Sequence, residues 1–193
     1  RGDRGYQQRI QTDRNRSFDR LLTEATQRFE RPTFVETGTI RAEEDWAGAG
    51  FSTYLFGQYL QARGGVLHSV DLSPQHCQFA RTWTAVFGET VKVHQQDSLR
   101  FLHEFAHPID VLYLDSLDTT EPHHAEHALA EIQAALPRLH ENSLVLIDDS
   151  PWREGAFTGK GALAIPWLLQ NGWDVVYAGY QALLHRTSGG MIP

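Results

Sequence analysis

Residues 34–53 read FVETGTIRAEEDWAGAGFST, and the rest of the chain is organised around this stretch. A short apolar run passes through the acidic Glu36 into a loop that contains Gly48 and Gly50. The pattern that follows predicts a helix over residues 52–63. A strand, a glycine turn and a helix N-terminus together present free backbone N–H groups to a polar ligand.

A second predicted strand, over residues 65–70, is followed directly by Asp71. An acid in this place, about twenty residues after the first turn, is suited to accept hydrogen bonds from the two hydroxyls of a ribose. The two segments together predict a nucleoside-binding site.

Strands and helices alternate with a regular rhythm after residue 32. This alternation implies a parallel sheet covered by helices on both faces. Only Gly179 and Tyr180 separate the last two strands, and so short a link must form a hairpin. We therefore predict an α/β fold, a Rossmann-like doubly wound seven-stranded sheet, mostly parallel with an antiparallel C-terminal hairpin strand. The predicted strands are 33–37, 65–70, 90–95, 109–114, 143–147, 173–178 and 181–186, and the helices between them are 52–63, 74–87, 98–106, 122–139 and 159–171.

A polar segment precedes this alternation. Apolar residues at helical spacing from Phe18 onward predict a helix over residues 17–30, which Pro32 ends. We interpret residues 1–32 as an N-terminal helical extension and residues 33–193 as one ligand-binding domain, because domains commonly contain about 100–200 residues.

Charge and composition narrow the classes of partner. The formal net charge of −7 argues against a general binder of nucleic acid. Cys77 is the single cysteine, which excludes an intrachain disulfide and fits a reducing compartment. No apolar run approaches the roughly 18 residues that span a bilayer. The sequence thus predicts a cytoplasmic protein that binds neither nucleic acid nor membranes, and homo-oligomerisation stays open.

An acid stands at the end of each of the five predicted parallel strands. Ligands of such sheets bind beyond the carboxyl ends of the strands, so these side chains should share one rim. In chain order the acids are Glu36, Asp71, Asp97, Asp115 and the pair Asp148–Asp149.

Seven strands with an antiparallel last one, and acids at these ends, resemble the class I S-adenosylmethionine-dependent methyltransferases over roughly residues 33–187. FVETGT resembles the family's first motif, LHSVDLSP its ribose-binding second-strand motif, and QQDS the segment beside the adenine. The resemblance implies S-adenosylmethionine as cofactor. The cofactor-binding residues that it implies are Glu36, Thr37, Gly38, Thr39, Ser52, Asp71, Leu72, Asp97, Ser98 and Asp115.

More narrowly, VLYLDSLDTTEPHHAEHALAEI followed by LVLIDDS resembles metal-dependent small-molecule methyltransferases and the related cephalosporin hydroxylase group. By this resemblance Asp115, Asp148 and Asp149 would hold one Mg²⁺. Three converging carboxylates repel one another, and a divalent cation is the usual remedy. In the alternative interpretation Asp148 and Asp149 only cap the next segment, and Asp115 is a turn residue.

Candidate catalytic residues are Asp115, His123, His124 and Lys160. A histidine with a pKa near neutrality is a natural general base for a hydroxyl. Lys160 could act as a base or orient a substrate oxygen. The pattern HHxxH also suggests Zn²⁺, but the glutamate of the zinc-protease pattern is absent.

The resemblance implies Mg²⁺-assisted O-methylation of a hydroxyl on a small molecule, such as a sugar or a natural product. A hydroxylase-like reaction in the same pocket and a non-catalytic S-adenosylmethionine-binding subunit stay open as alternatives. A dinucleotide-binding domain also needs an acid after its second strand, but the terminal hairpin and the missing tight G-x-G-x-x-G count against it.

Overall fold

The computed structural model describes residues 3–47 and 51–186, so Gly48 and Gly50 of the predicted turn lie outside the described residues. The strands in this part of the chain are β1 (Thr33–Thr37), β2 (Val66–Asp71), β3 (Val91–Gln95), β4 (Ile109–Leu114), β5 (Leu139–Ile147), β6 (Trp152–Arg153), β7 (Ala156–Phe157), β8 (Trp173–Ala178) and β9 (Ala182–Arg186). The helices are α1 (Asp3–Arg28), α2 (Ser52–Arg63), α3 (Pro74–Thr84), α4 (Ser98–Glu104), α5 (His124–Ala135) and α6 (Gly161–Gln170).

Seven strands form one sheet in the order β3-β2-β1-β4-β5-β9-β8. The first five are parallel, and β9 runs antiparallel to both β5 and β8. The predicted fold is therefore confirmed, including the antiparallel strand of the C-terminal hairpin. The strands β6 and β7 pair as a small separate hairpin, which the sequence analysis did not predict.

Helices cover both faces of the sheet because its strands alternate apolar side chains between the two faces. On β4, Val111 and Tyr113 pack with α1 and α2, whereas Leu112 and Leu114 pack with α4, α5 and α6. Phe51 and Ala80 belong to a third, smaller cluster beside α3.

The predicted start of the first helix was wrong. The helix begins at Asp3 rather than at residue 17 and ends at Arg28. Its buried stripe continues toward the N-terminus through Arg14 and Ile10, and Arg14 is held by an ion pair rather than by apolar contacts. Other element boundaries differ from the predicted ones by four residues or fewer, and the helix predicted over 122–139 is the shorter α5.

Helix α1 packs tightly on the sheet. Phe18 and Leu21 are buried, and the ring of Phe18 meets Phe56 edge-on at 5.5 Å and Tyr113 at 5.7 Å. Burying a side chain of this size contributes about 1.5–3 kcal/mol. None of the helices in the described part of the chain combines the length and apolarity that a membrane crossing requires.

The strand order reverses between β1 and β4, which is the place where ligands bind in doubly wound sheets. Gly38 follows β1 here with φ of 80°, and a Cβ atom added to it would lie 2.4 Å from the Asp115 carbonyl oxygen. Only glycine fits this approach, and it brings the ends of β1 and β4 together.

Candidate active site

A cavity of about 350 Å³ opens at the switch point of the sheet. Seven of the predicted site residues line it, namely Gly38, Thr39, Ser52, Asp71, Asp115, Asp149 and Lys160. Residues that the sequence analysis did not select also line it, namely Arg14, Ile40, Arg41, Asp45, Phe51, His76, Ser116, Asp118, Thr119 and Tyr180.

Asp71 stands at the end of β2 and forms one wall of the cavity. The Ser73 backbone N–H donates to its Oδ1 at 2.7 Å, and the Thr39 N–H donates to its Oδ2 at 3.3 Å. The Nδ1 atom of His76 lies 3.2 Å from the same Oδ2. A carboxylate has about four acceptor positions, so Asp71 keeps capacity for a ligand hydroxyl.

Glu36 lies beneath the cavity rather than in its lining. Its carboxylate accepts hydrogen bonds from the hydroxyls of Ser52, Thr53 and Ser69, the last two at 2.7 and 2.6 Å. Burial raises the pKa of Glu36 to about 7, against the opposing effect of these donors. Glu36 thus ties the N-terminus of α2 to β1 and β2. Thr37, the next residue, is also buried.

Besides Glu36 and Thr37, three further residues predicted to contact the cofactor lie outside the cavity lining. Asp97 is exposed and caps α4, where its Oδ1 accepts from the Arg100 N–H at 2.9 Å. The Ser98 hydroxyl lies 3.3 Å from Nε2 of His127, and Leu72 is exposed. Their contacts with a cofactor stay predictions.

The three acids predicted to bind metal do converge. Asp115, Asp148 and Asp149 each offer an oxygen, and these atoms lie within 4.8 Å of one another. Asp148 is fully buried, whereas the other two are partly buried. Burial, followed by the charge of Asp148, raises the pKa of Asp115 well above its usual range.

Two buried cations lie among these carboxylates. Arg14 donates to both oxygens of Asp148, at 3.2 and 2.8 Å, and to Asp149 Oδ1 at 3.3 Å. Lys160 donates to Asp115 Oδ1, and its Nζ lies 3.2 Å from Asp149 Oδ2. The sixth oxygen, Asp115 Oδ2, accepts from the Tyr113 hydroxyl at 3.3 Å.

These contacts set the charge states of the cluster. Burial alone would raise the pKa of Asp148, but the charges of Arg14 and Lys160 hold it well below its usual range. Burial alone would lower the pKa of Lys160, yet the nearby aspartates raise it above its ordinary value. The buried cluster therefore contains an ionised Asp148 and a protonated Lys160.

Three carboxylates supply the oxygen donors that Mg²⁺ prefers. However, each of their six oxygens lies within 3.3 Å of a protein donor, and both oxygens of Asp148 are bound by one guanidinium. A cation between the three would have to displace the Lys160 ammonium from two partners. The donor set therefore does not fit Mg²⁺ while Arg14 and Lys160 hold these places.

His123 and His124 do not line the cavity. His123 has a left-handed φ of 63° at the start of α5, and its side chain is 80% exposed with Nδ1 3.5 Å from Glu126. His127 is the more buried histidine of the motif, and its hydrogen bond with Glu131 raises its pKa. A base role for His123 or His124 stays a prediction that this geometry does not support.

Arg14 is the main site residue that the sequence analysis missed. Besides its ion pairs, it lies over the ring of Tyr180, 4.7 Å from the centroid. Burial, followed by the hydrogen bond with Asp149, raises the pKa of Tyr180. A signal was present in the sequence, because Arg14 continues the apolar stripe of α1 at a spacing of four residues from Phe18.

Comparison with known proteins indicates a methyltransferase. The sequence profile of a family described as a methyltransferase domain matches residues 47–150. Among curated proteins, none matches the sequence.

Solved structures share the fold. PaMTH1 from Podospora anserina, a methyltransferase with bound S-adenosylhomocysteine, superposes with a TM-score of 0.61 at 14% identity, over 86% of this chain and 76% of that chain. An rRNA methylase from Streptococcus thermophilus gives 0.57 at 11% identity, over 86% and 94%. NSun6 from Pyrococcus horikoshii, in complex with SFG, gives 0.62 at 15%, over 86% and 51%. At these identities the likeness shows the fold alone.

Proposed function

Because the chain belongs to the class I S-adenosylmethionine-dependent methyltransferases, we propose that it methylates an oxygen of a small molecule bound in the cavity. One observation carries the proposal. The same cavity is lined by Asp71, a ribose-type acceptor, and by Asp115 with Lys160, a carboxylate paired with an ammonium. A nucleoside site and a site for proton transfer therefore share one space.

The cofactor part of the proposal uses residues at the ends of β1 and β2. Asp71 would accept hydrogen bonds from the ribose hydroxyls, and the loop at Gly38 and Thr39 would lie beside the rest of the nucleoside. S-Adenosylmethionine supplies, when bound, a methyl group on a positively charged sulfur.

The acceptor part uses the ends of β4 and α6. The Asp115 side chain is 27% exposed, and its raised pKa makes it a stronger base than an ordinary aspartate, suited to take the proton of an acceptor hydroxyl. Lys160 has a raised pKa and so stays protonated. Of the two roles predicted for Lys160, the structure favours orienting the acceptor oxygen over acting as a base.

The cavity favours a small acceptor. Its volume lies at the lower end of the range for small-molecule sites. Asp45, Asp118 and Asp149 line it besides Asp71 and Asp115, and the chain carries a formal net charge of −7, both unfavourable to a phosphate backbone. Some structural neighbours act on rRNA, so RNA belongs among the substrates to be tested.

The test has two parts. Calorimetry with S-adenosylhomocysteine should show binding to the wild type, and the affinity should fall in Asp71→Ala. Methyl transfer from labelled S-adenosylmethionine should then label a hydroxylated small molecule but no RNA. Asp115→Asn should lower kcat by about 100-fold or more, the usual size of a general-base contribution, without changing the affinity for S-adenosylhomocysteine.

Asp174→Asn is the matched control, because Asp174 is exposed on the edge strand β8. Full turnover in Asp115→Asn would disprove the assigned base. Binding without any transfer would favour the non-catalytic subunit, and a product that gains an oxygen atom instead of a methyl group would favour the hydroxylase-like alternative.

A further inference from the structure

The acidic cluster of Asp115, Asp148 and Asp149 contains its own counter-cations. When all three carboxylates are ionised they carry three negative charges, and Arg14 and Lys160 offset two of them. The side chains of these cations are only 10% and 4% exposed, so solvent screens the pairs weakly. The electrostatic task for which a divalent cation was predicted is thus largely met by side chains.

The backbone fixes Lys160 in this place. Its N–H donates to the Asp149 carbonyl oxygen at 3.1 Å. The preceding Gly159 has φ of 61°, and a Cβ atom there would lie 1.9 Å from that same oxygen. The close crossing of these two segments directs the lysine at the start of α6 toward the carboxylates.

A separate set of contacts fixes Arg14. The ring of Tyr180 lies under its guanidinium, and one turn further along α1 Ser17 donates to the side chain of Gln181. Gln181 in turn donates to the Tyr113 hydroxyl at 3.0 Å. Helix α1 is therefore connected to β4, the strand that Asp115 follows, by polar contacts as well as by Phe18.

We propose that Arg14 and Lys160 replace the divalent cation, so that the site works without metal and helix α1 is one of its structural parts. Only one part of its test, the measurement of turnover, rests on the proposed function. In this arrangement Lys160 contacts the acceptor side of the cavity, and Arg14 is a positioning residue that holds Asp148 and Asp149.

Metal binding gives the sharpest test, because it needs no substrate. The free Mn²⁺ signal in electron paramagnetic resonance measures binding to the protein directly. Wild type should leave the signal unchanged. Lys160→Met opens the oxygens of Asp115 and Asp149 and should bind one Mn²⁺ at least tenfold more tightly than wild type. Lys92→Met is the matched control, since Lys92 is the only other lysine of the chain and is exposed.

A second variant locates the new site. Lys160→Met combined with Asp149→Asn should lose the Mn²⁺ binding again, because one ligand has been removed. Arg14→Met should lower turnover, and Arg14→Lys should restore part of it. Thermal unfolding of each variant identifies those that no longer fold, and only folded ones are compared.

Turnover measurements form the last part of the test. Turnover of the wild type should change less than twofold with a chelator present or Mg²⁺ added. Stoichiometric Mn²⁺ binding by wild type, or turnover that a chelator abolishes and Mg²⁺ restores, would overturn the proposal. If no methyl transfer is found, the proposed function fails, yet the Mn²⁺ comparison still decides whether Lys160 excludes a metal.

Discussion

Replacing Glu36 by glutamine should change how stability depends on pH. Glu36 is completely buried, and burial raises its pKa from 4.5 to about 7. Between these two values the folded protein holds a proton that the unfolded chain releases. The free energy of unfolding of the wild type therefore contains a contribution that is fully present below pH 4.5 and is lost as the pH rises to about 7.

The size follows from the shift. One pKa unit corresponds to about 1.4 kcal/mol, so the contribution of Glu36 amounts to about 3 kcal/mol. No discount for solvent is needed because the group is inaccessible. Glutamine is neutral at every pH; its Oε1 can accept from at most two of the hydroxyls of Ser52, Thr53 and Ser69, and its Nε2 can only donate to a hydroxyl oxygen. In the variant this part of the pH dependence should be absent.

Urea unfolding at a series of pH values, followed by tryptophan fluorescence, measures the effect. The wild-type free energy of unfolding minus that of Glu36→Gln should fall by about 3 kcal/mol across the window. Other groups titrate in both proteins and cancel in the difference. Glu141→Gln, at an exposed position of β5, should show no such trend. A difference that stays flat or rises with pH would refute the reasoning.

Two further substitutions test the packing. Phe18→Ala should lower the free energy of unfolding by about 3–5 kcal/mol in urea titrations, the usual cost of truncating a buried phenylalanine; a cost below 1 kcal/mol would show that α1 is not part of the core. Gly38→Ala should weaken S-adenosylhomocysteine binding in calorimetry because its Cβ has no space. Gly155→Ala is the control, since Gly155 also has positive φ but no neighbour within 4 Å. Equal effects of both changes would contradict this reasoning, because Gly155 does not line the cavity.

Local patterns were sufficient to predict the fold class but not the complete strand order. The periodicity of apolar residues distinguishes strands from helices. The two-residue link at Gly179 and Tyr180 requires the two strands beside it to pair antiparallel, independently of the rest of the chain. The position of β9, between β5 and β8 rather than at the edge of the sheet, is a choice of which strands pair with which. Such a choice depends on contacts distant in sequence, which local patterns do not contain.

The rim residues could be predicted because parallel strands place their carboxyl ends together. Asp71, Asp115 and Asp149 accordingly line one cavity. Histidines at the start of a helix carry no such constraint, since the local backbone conformation and the side-chain rotamer together decide where they point. His123 has a left-handed backbone conformation and an exposed side chain. The pattern HHxxH does not predict its positive φ.

Local spacing predicts that Arg14 is buried, but only the folded chain shows which acid it pairs with. Ile10, Arg14, Phe18, Leu21 and Ala25 recur every three or four residues, and all five are buried. A cation on an apolar stripe requires a buried anion, because an unpaired charge there would be prohibitively costly. Spacing alone thus indicates that an acid must face α1.

Which acid it is depends on a contact across 134 residues. The pairing also changes the meaning of the acids themselves. If Arg14 is ignored, the carboxylates at the ends of β4 and β5 need a metal. Once Arg14 is included, Asp148 and Asp149 each have a positively charged partner. A metal site predicted from acids alone is therefore incomplete until the buried cations of the chain have been assigned to their partners.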